Sequence, residues 1–443
     1  MNRDELQVNV DTIVVVMMEN RSFDHVLGHL RAPQFGNRAD VDGIEDVNNP
    51  RYLNPNSDGQ GIAPFWSGDG PLDSDLPHDP DAVRKQLAYI AINGSYAMNG
   101  FVLAFEDEFH TSAQRPAVMS LLQPDAIPTT GALASQYLVC DRWFSCVPTS
   151  TAPNRLMSMC GYTDHHDTGV LLPDQRTAYD WLLDHGVRWR VYSAGIPFFA
   201  LMPRLTPLVL TTHFRRLESL PADLAGDGAD WPQVIFIEPD YHDCPVHLQP
   251  PCDNHAPLAM APGEAFLAQV YNWLSSDAQR WARTVLVVTY DEHGGFFDHA
   301  APLPVKYRNP NGVAFDTTGP RVPTIVAGPF APQGVSHAQL DNTSVLQLLA
   351  ERFGKPGEAY SAEVAGRMNQ GIASVSAALA VGAQNLATRA LNARLTSAAA
   401  IPSAIAANDL REGFHQAVTR LAAAHQAEAF AKYPELRAYV RGT

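Results

Sequence analysis

Asp291, Glu292 and His293 follow directly on the apolar run Thr284–Tyr290 and precede the pair Gly294-Gly295. A β-branched run with apolar residues on both faces suits a strand buried in the centre of an α/β sheet. In open α/β sheets ligand chemistry collects beyond the carboxyl ends of the strands. Two carboxylates and an imidazole placed there have the donors for a metal or for proton transfer. The bland alternative is a solvated strand end before a glycine turn. A second run of the same kind, Thr12–Met18, ends in Glu19 and Asn20. Those two offer three side-chain oxygens, a set suited to a hard divalent cation. Ser22 or Asn20 as a helix cap explains part of this motif, but not a glutamate immediately after a buried strand.

The third stretch is Val147-Pro148-Thr149-Ser150-Thr151-Ala152-Pro153-Asn154-Arg155, opening onto a helical segment that ends near Gly161. Hydroxyl residues at a helix start are most often caps. The same position also concentrates backbone N–H groups and the positive end of the helix dipole, which suits a phosphate. A Thr or Ser hydroxyl there, beside a metal, can attack phosphorus. Single histidines in loops complete the inventory: His78 in Leu76-Pro77-His78-Asp79-Pro80, His255 in Asp253-Asn254-His255-Ala256-Pro257, and His299 in Phe297-Asp298-His299. Each alone reads as a surface residue.

These pieces need a scaffold. The pattern around them is strand, helix, strand: Val234–Ile237, the amphipathic stretch 263–275, then 284–290. That is the βαβ unit of a parallel sheet. Further strands are expected at 188–192 and 321–327, with a helix pattern at 211–225 and another from Asp341-Asn342-Thr343-Ser344 to Glu351. Residues 31–80 read as a long ordered loop. Beyond Gly357 the chain becomes Ala-rich, with helical runs expected near 372–395 and 408–440 and no catalytic constellation. The expected division is therefore a catalytic domain at 1–357 and a helical C-terminal region at 358–443, packed on the sheet or on a partner chain.

With 443 residues and 46% hydrophobic residues the chain can bury a large core, and its formal net charge of −16 disfavours duplex nucleic acid as a partner. No apolar stretch reaches the ~18 residues of a membrane span. The start, Met1-Asn2-Arg3-Asp4-Glu5-Leu6, lacks a signal peptide's apolar segment, which makes the cytoplasm the expected compartment. A secreted or periplasmic location is the alternative, if this is a mature form or one exported by another route. Cys140, Cys146, Cys160, Cys244 and Cys252 show no C-x-x-C pairing. Cys244 and Cys252 share a loop and could bridge, though free thiols are the default.

Taken together, Met17–His25, Pro148–Arg155, Tyr290–His299 and the Asp253–Pro257 block resemble, in order and spacing, the signatures of the phosphoesterase family. That family holds phosphatidylcholine-type phospholipases C and a group of acid phosphatases. The resemblance implies a three-layer α/β/α fold like alkaline phosphatase, with a mostly parallel central sheet, and hydrolysis through a phospho-enzyme. It also implies one divalent metal ion (Ca²⁺, Mg²⁺ or Mn²⁺ from the oxygen set, Zn²⁺ or Fe if the histidines join) held by Glu19, Asn20, Thr151, Asp291 and Glu292. Thr151 would be the nucleophile, and His78, His255, His299, Asn154 and Arg155 would complete the catalytic set. Arg155 or the helix amides would stabilise charge on the phosphoryl oxygens.

The expected substrate is a phospholipid, cut to diacylglycerol and a phosphorylated head group. A broad acid phosphatase acting on monoesters is the alternative, and a catalytically dead scaffold the alternative of another class. Phe101-Val102-Leu103 and Ile196–Pro203 are candidates for an apolar surface approaching a membrane peripherally. Two departures stand out: Met98-Asn99-Gly100 where members often carry Asp after Met, and Asp341-Asn342-Thr343-Ser344 where many carry Asp-His-Thr-Ser.

Overall fold

The computed structural model describes residues 1–111, 115–226, 228, 230–383, 385, 390–391, 408–424 and 426–442. Its centre is an eight-stranded sheet: β1 (Thr12–Met18), β2 (Leu138–Cys140), β3 (Trp189–Ser193), β4 (Phe214–Arg216), β5 (Val234–Glu238), β6 (Thr284–Tyr290), β7 (Ile325–Ala327) and β8 (Gly334–Ser336). In space the order is β4-β3-β5-β1-β6-β7-β2-β8. All neighbouring pairs are parallel except those made by β7, which runs antiparallel to both β6 and β2. The two runs singled out by their apolar β-branched residues, β1 and β6, are adjacent, with Thr12 opposite Thr284 and Met18 opposite Tyr290. That register brings Glu19 and Asp291 out of the sheet side by side.

Every residue of β6 and all but one of β1 are buried, which requires a covering layer on each face of the sheet. The helices used below are α1 (Phe23–Leu27), α2 (Pro80–Leu87), α3 (Thr151–Cys160), α4 (Ala261–Ser276), α5 (Thr343–Phe353) and α6 (Asp409–Ala424). Helix α3 packs on α5, and α4 on the helix Pro128–Gln136; their apolar side chains join the strands in one core. The expected three-layer α/β/α arrangement is therefore present. The expected βαβ unit is β5–α4–β6, with β1 inserted between its two strands.

Residues 214–216, expected inside a helical pattern, instead form the edge strand β4, because Val191, Tyr192 and Ser193 pair with them in register. The loop at 31–80 is ordered by a second apolar cluster. Ile44, Tyr52 and Leu76 pack there against Phe101, Val102, Phe296 and Phe297. Phe101 and Val102 are thus core, as are Ile196 and Phe198–Met202. Neither run offers the apolar approach surface for which it was a candidate; in both, burial of aromatic area outweighs exposure. All five cysteines are buried free thiols, so Cys244 and Cys252 do not bridge.

In the C-terminal region helices cover Ala362–Met368, Asp409–Ala424, Gln426–Lys432 and Leu436–Gly442. Of the run expected near 372–395, Val375–Ala378 is a 3-10 turn, and most of 384–395 lies outside the described residues. Leu410, Phe414, Val418 and Leu421 of α6 join the same core as the sheet. No helix among the described residues is long and apolar enough to cross a membrane.

Candidate active site

Asn20 organises the site. It sits one residue beyond the Glu19 that ends the β1 run, in the left-handed region at φ 58°, a conformation that Asn tolerates better than other branched residues. Its amide nitrogen lies 2.9 Å from His255 Nε2, 3.3 Å from His78 Nε2 and 3.3 Å from Thr151 Oγ1. Its backbone N–H donates to Asp291 Oδ1 at 3.3 Å. One residue thus joins four segments that are far apart in sequence. The close approach depends on the glycine pair. A Cβ on Gly294, at φ +60°, would lie 2.2 Å from the Asn20 carbonyl, and one on Gly295, at φ +75°, 2.6 Å from that of Pro77. Only glycine lets the turn after β6 close on both the Asn20 and the His78 loops.

Thr151 is the first residue of α3 and is buried. The turn before it is held by Asn154. The Asn154 carbonyl oxygen accepts from Val147 N–H at 3.0 Å, and its amide donates to the carbonyls of Val147, Thr149 and Ser150 at 2.9–3.1 Å. Asn154 is therefore a positioning residue for Thr151. The helix amides offer less than the sequence suggested. Ala152 N–H donates to Thr168 Oγ1, and Pro153 has no N–H.

Arg155 also differs from expectation. Its Nε donates to Asp291 Oδ2 at 3.0 Å, its Nη2 to Glu19 Oε1 and to the Met18 carbonyl, both at 3.2 Å, and its Nη1 to Tyr241 Oη at 3.2 Å. With all its nitrogens committed inside the protein, it holds the carboxylates in place rather than reaching toward substrate oxygens. Burial pushes the Asp291 carboxyl above its ordinary range, and Glu19 and Glu292 add to that while Arg155 opposes it.

The two histidines at Asn20 each have carboxylates close to the ring. His78 Nδ1 donates to the Leu76 carbonyl at 2.6 Å, which fixes its tautomer and leaves Nε2 facing the site. Burial works to lower its pKa, but Glu292 and Asp75 outweigh that and raise it. His255 Nε2 faces a donor, Asn20 Nδ2, and an acceptor, Asp75 Oδ1 at 3.3 Å. Where Asn20 Nδ2 donates to Nε2, the neutral ring carries its proton on Nδ1, and the cationic ring can donate from Nε2 to Asp75. Burial opposes protonation here too, but Asp75 and Glu19 hold the His255 pKa well above its ordinary value.

His299, expected with these two, lies in a different network. Its Nδ1 is 2.6 Å from Asp24 Oδ2 and its Nε2 3.2 Å from Asp42 Oδ1. The buried Arg321 pairs with Asp24 and Asp298 at 3.0 and 2.9 Å and so neutralises that cluster. The sequence reading passed over Asp75, Asp243 and His242. Asp243 and His242 follow soon after the end of β5, where strand-end carboxylates had drawn attention elsewhere; Asp75 lay in a loop without periodicity.

Of the five expected metal ligands, Asn20 contacts both Thr151 and Asp291, while Glu19 and Asp291 share Arg155. Glu292 Oε1 and Glu19 Oε2 are buried without hydrogen-bond partners. A buried carboxylate oxygen with no donor is costly unless a cation satisfies it. The donor set fits a divalent ion. The departure at Asn342 affects the backbone below it. Its amide donates to the carbonyls of Tyr290 and Asp291 at 3.1 and 3.2 Å, and its oxygen accepts from Trp143 Nε1.

The model of the phosphoesterase family matches residues 10–356, a span that contains every group named above as an expected site residue. The chain belongs to the phosphoesterase family. It is 34% identical over 380 residues to non-specific phospholipase C1 of Arabidopsis thaliana, covering 79% of this chain and 68% of that protein. It is 27% identical to the non-hemolytic phospholipase C of Burkholderia pseudomallei, over 78% of this chain and 55% of that one. The chain thus spans between about half and two thirds of the length of these relatives. Among solved structures it is similar to the lipoteichoic acid synthase LtaP of Listeria monocytogenes, with 10% identity, 82% of this chain and 77% of that chain covered, and a TM-score of 0.38. As a member of the family this protein is a hydrolase acting on phosphoric esters.

Proposed function

We propose that the protein is a metal-dependent phospholipase C. It would cleave the glycerol-side P–O bond of a phospholipid, with Thr151 as nucleophile. The observation that carries this reading is the convergence of Thr151, His78 and His255 on the single amide of Asn20. The relatives' names supply the diester class.

Glu19, Asn20, Thr151, Asp291 and Glu292 would hold the metal. When bound, such an ion neutralises phosphoryl oxygen charge and lowers the pKa of a nearby hydroxyl. Thr151 Oγ1, its proton lost to solvent before the attack, bonds to phosphorus, the P–O bond to the leaving alcohol breaks, and His255 Nε2 gives that alcohol its proton. The head group is left as a phosphodiester on Thr151. His78 Nε2 then takes a proton from water, whose oxygen attacks phosphorus, and Thr151 leaves. Two in-line displacements give net retention. With a monoester the same sequence passes through phosphothreonine.

A second reading has one observation in its favour. Burial of Phe101, Val102 and Ile196–Met202 removes both candidate lipid-facing runs, which fits a phosphatase acting on small monoesters. Turnover of p-nitrophenyl phosphorylcholine and of p-nitrophenyl phosphate, each with and without EDTA, separates the two. Preference for the choline diester supports the phospholipase C. Preference for the monoester replaces it by the phosphatase. Inactivity on both, with divalent ions restored, leaves a scaffold.

A further inference from the structure

His255 Nδ1 is buried and has no hydrogen-bond partner within ordinary distance. It faces two buried carboxylate oxygens, Glu19 Oε2 at 3.5 Å and Asp243 Oδ2 at 3.8 Å, which also lack partners. The group Glu19, His242 and His255 is compact enough to hold a metal, but a donation from Asn20 Nδ2 to His255 Nε2 at 2.9 Å leaves the neutral ring's proton on Nδ1 and takes that atom out of such a set. The remaining chemistry is that of a carboxylate orienting an imidazole. Glu19 is already drawn to Arg155 through its other oxygen, whereas Asp243 has His242 Nε2 at 3.7 Å and His255 Nδ1 at 3.8 Å as its charged neighbours.

Asp243 is itself placed from outside the residues matched by the family. Its Oδ1 accepts from Asn408 Nδ2 at 3.1 Å, immediately before α6. Six residues on, Phe414 packs on Tyr241 with ring centroids 5.6 Å apart, and Tyr241 Oη contacts both Arg155 and Glu238. The start of α6 therefore reaches the two ends of the site: the proton-transfer histidine through Asp243, and the carboxylate pair through Tyr241 and Arg155.

We propose that Asp243 is the positioning carboxylate of His255 and that Asn408, with α6, fixes it, so that the Ala-rich C-terminal region is part of the catalytic apparatus. This rests on the reading of His255 as the proton donor of phosphoester hydrolysis. A positioned general acid contributes about 10²–10⁴-fold, which bounds the effect of misplacing it.

The test is a double-mutant cycle on the full chain, with thermal melts of every variant. Asp243→Asn is expected to lower kcat by about 10–100-fold with KM little changed, and Asn408→Ala by a smaller factor in the same direction. In a His255→Gln background both effects should nearly vanish, because groups acting through one residue are not additive. Asn408→Ser, which keeps a donor, should recover part of the loss in the wild-type background. Equal losses in both backgrounds, or an Asn408→Ala protein with wild-type kcat, would overturn the proposal. If His255→Gln itself leaves kcat intact, the proton-donor reading fails, and this inference with it, by a separately visible result.

Discussion

Arg155 Nε lies 3.0 Å from Asp291 Oδ2, with both side chains sealed from solvent. A cation that belongs to the chain therefore stands permanently among the carboxylates that would bind a metal. It offsets their mutual repulsion during folding, before any ion is present. Removing one partner of such a buried pair costs about 3–5 kcal/mol. Arg155→Met should lose that much in urea denaturation. Adding Asp291→Asn should restore part of it, because the uncompensated charge is then gone.

Gly294 tests how tightly the Asn20 loop must be approached. Alanine there combines a positive φ with a Cβ 2.2 Å from the Asn20 carbonyl. Gly294→Ala should destabilise by about 1–3 kcal/mol. It should also lower kcat more than Gly312→Ala, a glycine with a positive φ and nothing near its Cβ position. Comparison of the two variants by melting and steady-state kinetics isolates the close approach from the backbone strain.

His299 predicts a pH dependence of stability. Burial alone would lower its pKa, but Asp24 and Asp42 outweigh that and raise it to about 9. A base whose folded pKa is raised stabilises fully below its unfolded value and loses that contribution as pH climbs through the folded one. The window is therefore from about 6.5 to 9, and the shift corresponds to about 3 kcal/mol. Melting temperatures of the wild type and His299→Gln should differ most near pH 6 and converge above pH 9.

Chelation supplies a fourth check. Glu292 Oε1 and Glu19 Oε2 have no donors of their own, so a bound divalent ion should stabilise the fold in proportion to its occupancy. Addition of EDTA should lower the melting temperature of the wild type. Glu292→Gln should shrink that difference, and added Mg²⁺, Ca²⁺, Mn²⁺ and Zn²⁺ should restore the wild type in order of their affinity.

The strands that carry chemistry were legible because β1 and β6 are buried on both faces, and a strand of that kind shows itself as an unbroken apolar run. Glu19, Asn20, Asp291 and Glu292 were singled out by their place at the ends of those runs. The helix start pointed to a Thr or Ser, and the family resemblance picked out Thr151 among them. The short strands β4 and β8, at three residues each, give too little period to be read, and β4 was taken for helix. Roles within the site were harder, because they depend on direction rather than position. Arg155 and Asn154 sit in the expected motif, but their donors turn inward, and no spacing reveals which way a side chain points. His299 was grouped with His78 and His255 by motif, whereas the turn after Gly295 carries it to Asp24 and Asp42. Asn408 was out of reach altogether, since its contact with Asp243 spans 165 residues.

The central claim is that Thr151 becomes covalently attached to the phosphorus of the substrate. Acid quenching during turnover of p-nitrophenyl phosphorylcholine, followed by peptide mass spectrometry, reads this directly. The account predicts one phosphorylcholine group on the peptide containing Thr151, or one phosphoryl group when the monoester is used, and neither adduct nor turnover in Thr151→Ala. Undiminished turnover in Thr151→Ala, or an adduct on any other residue, would contradict it.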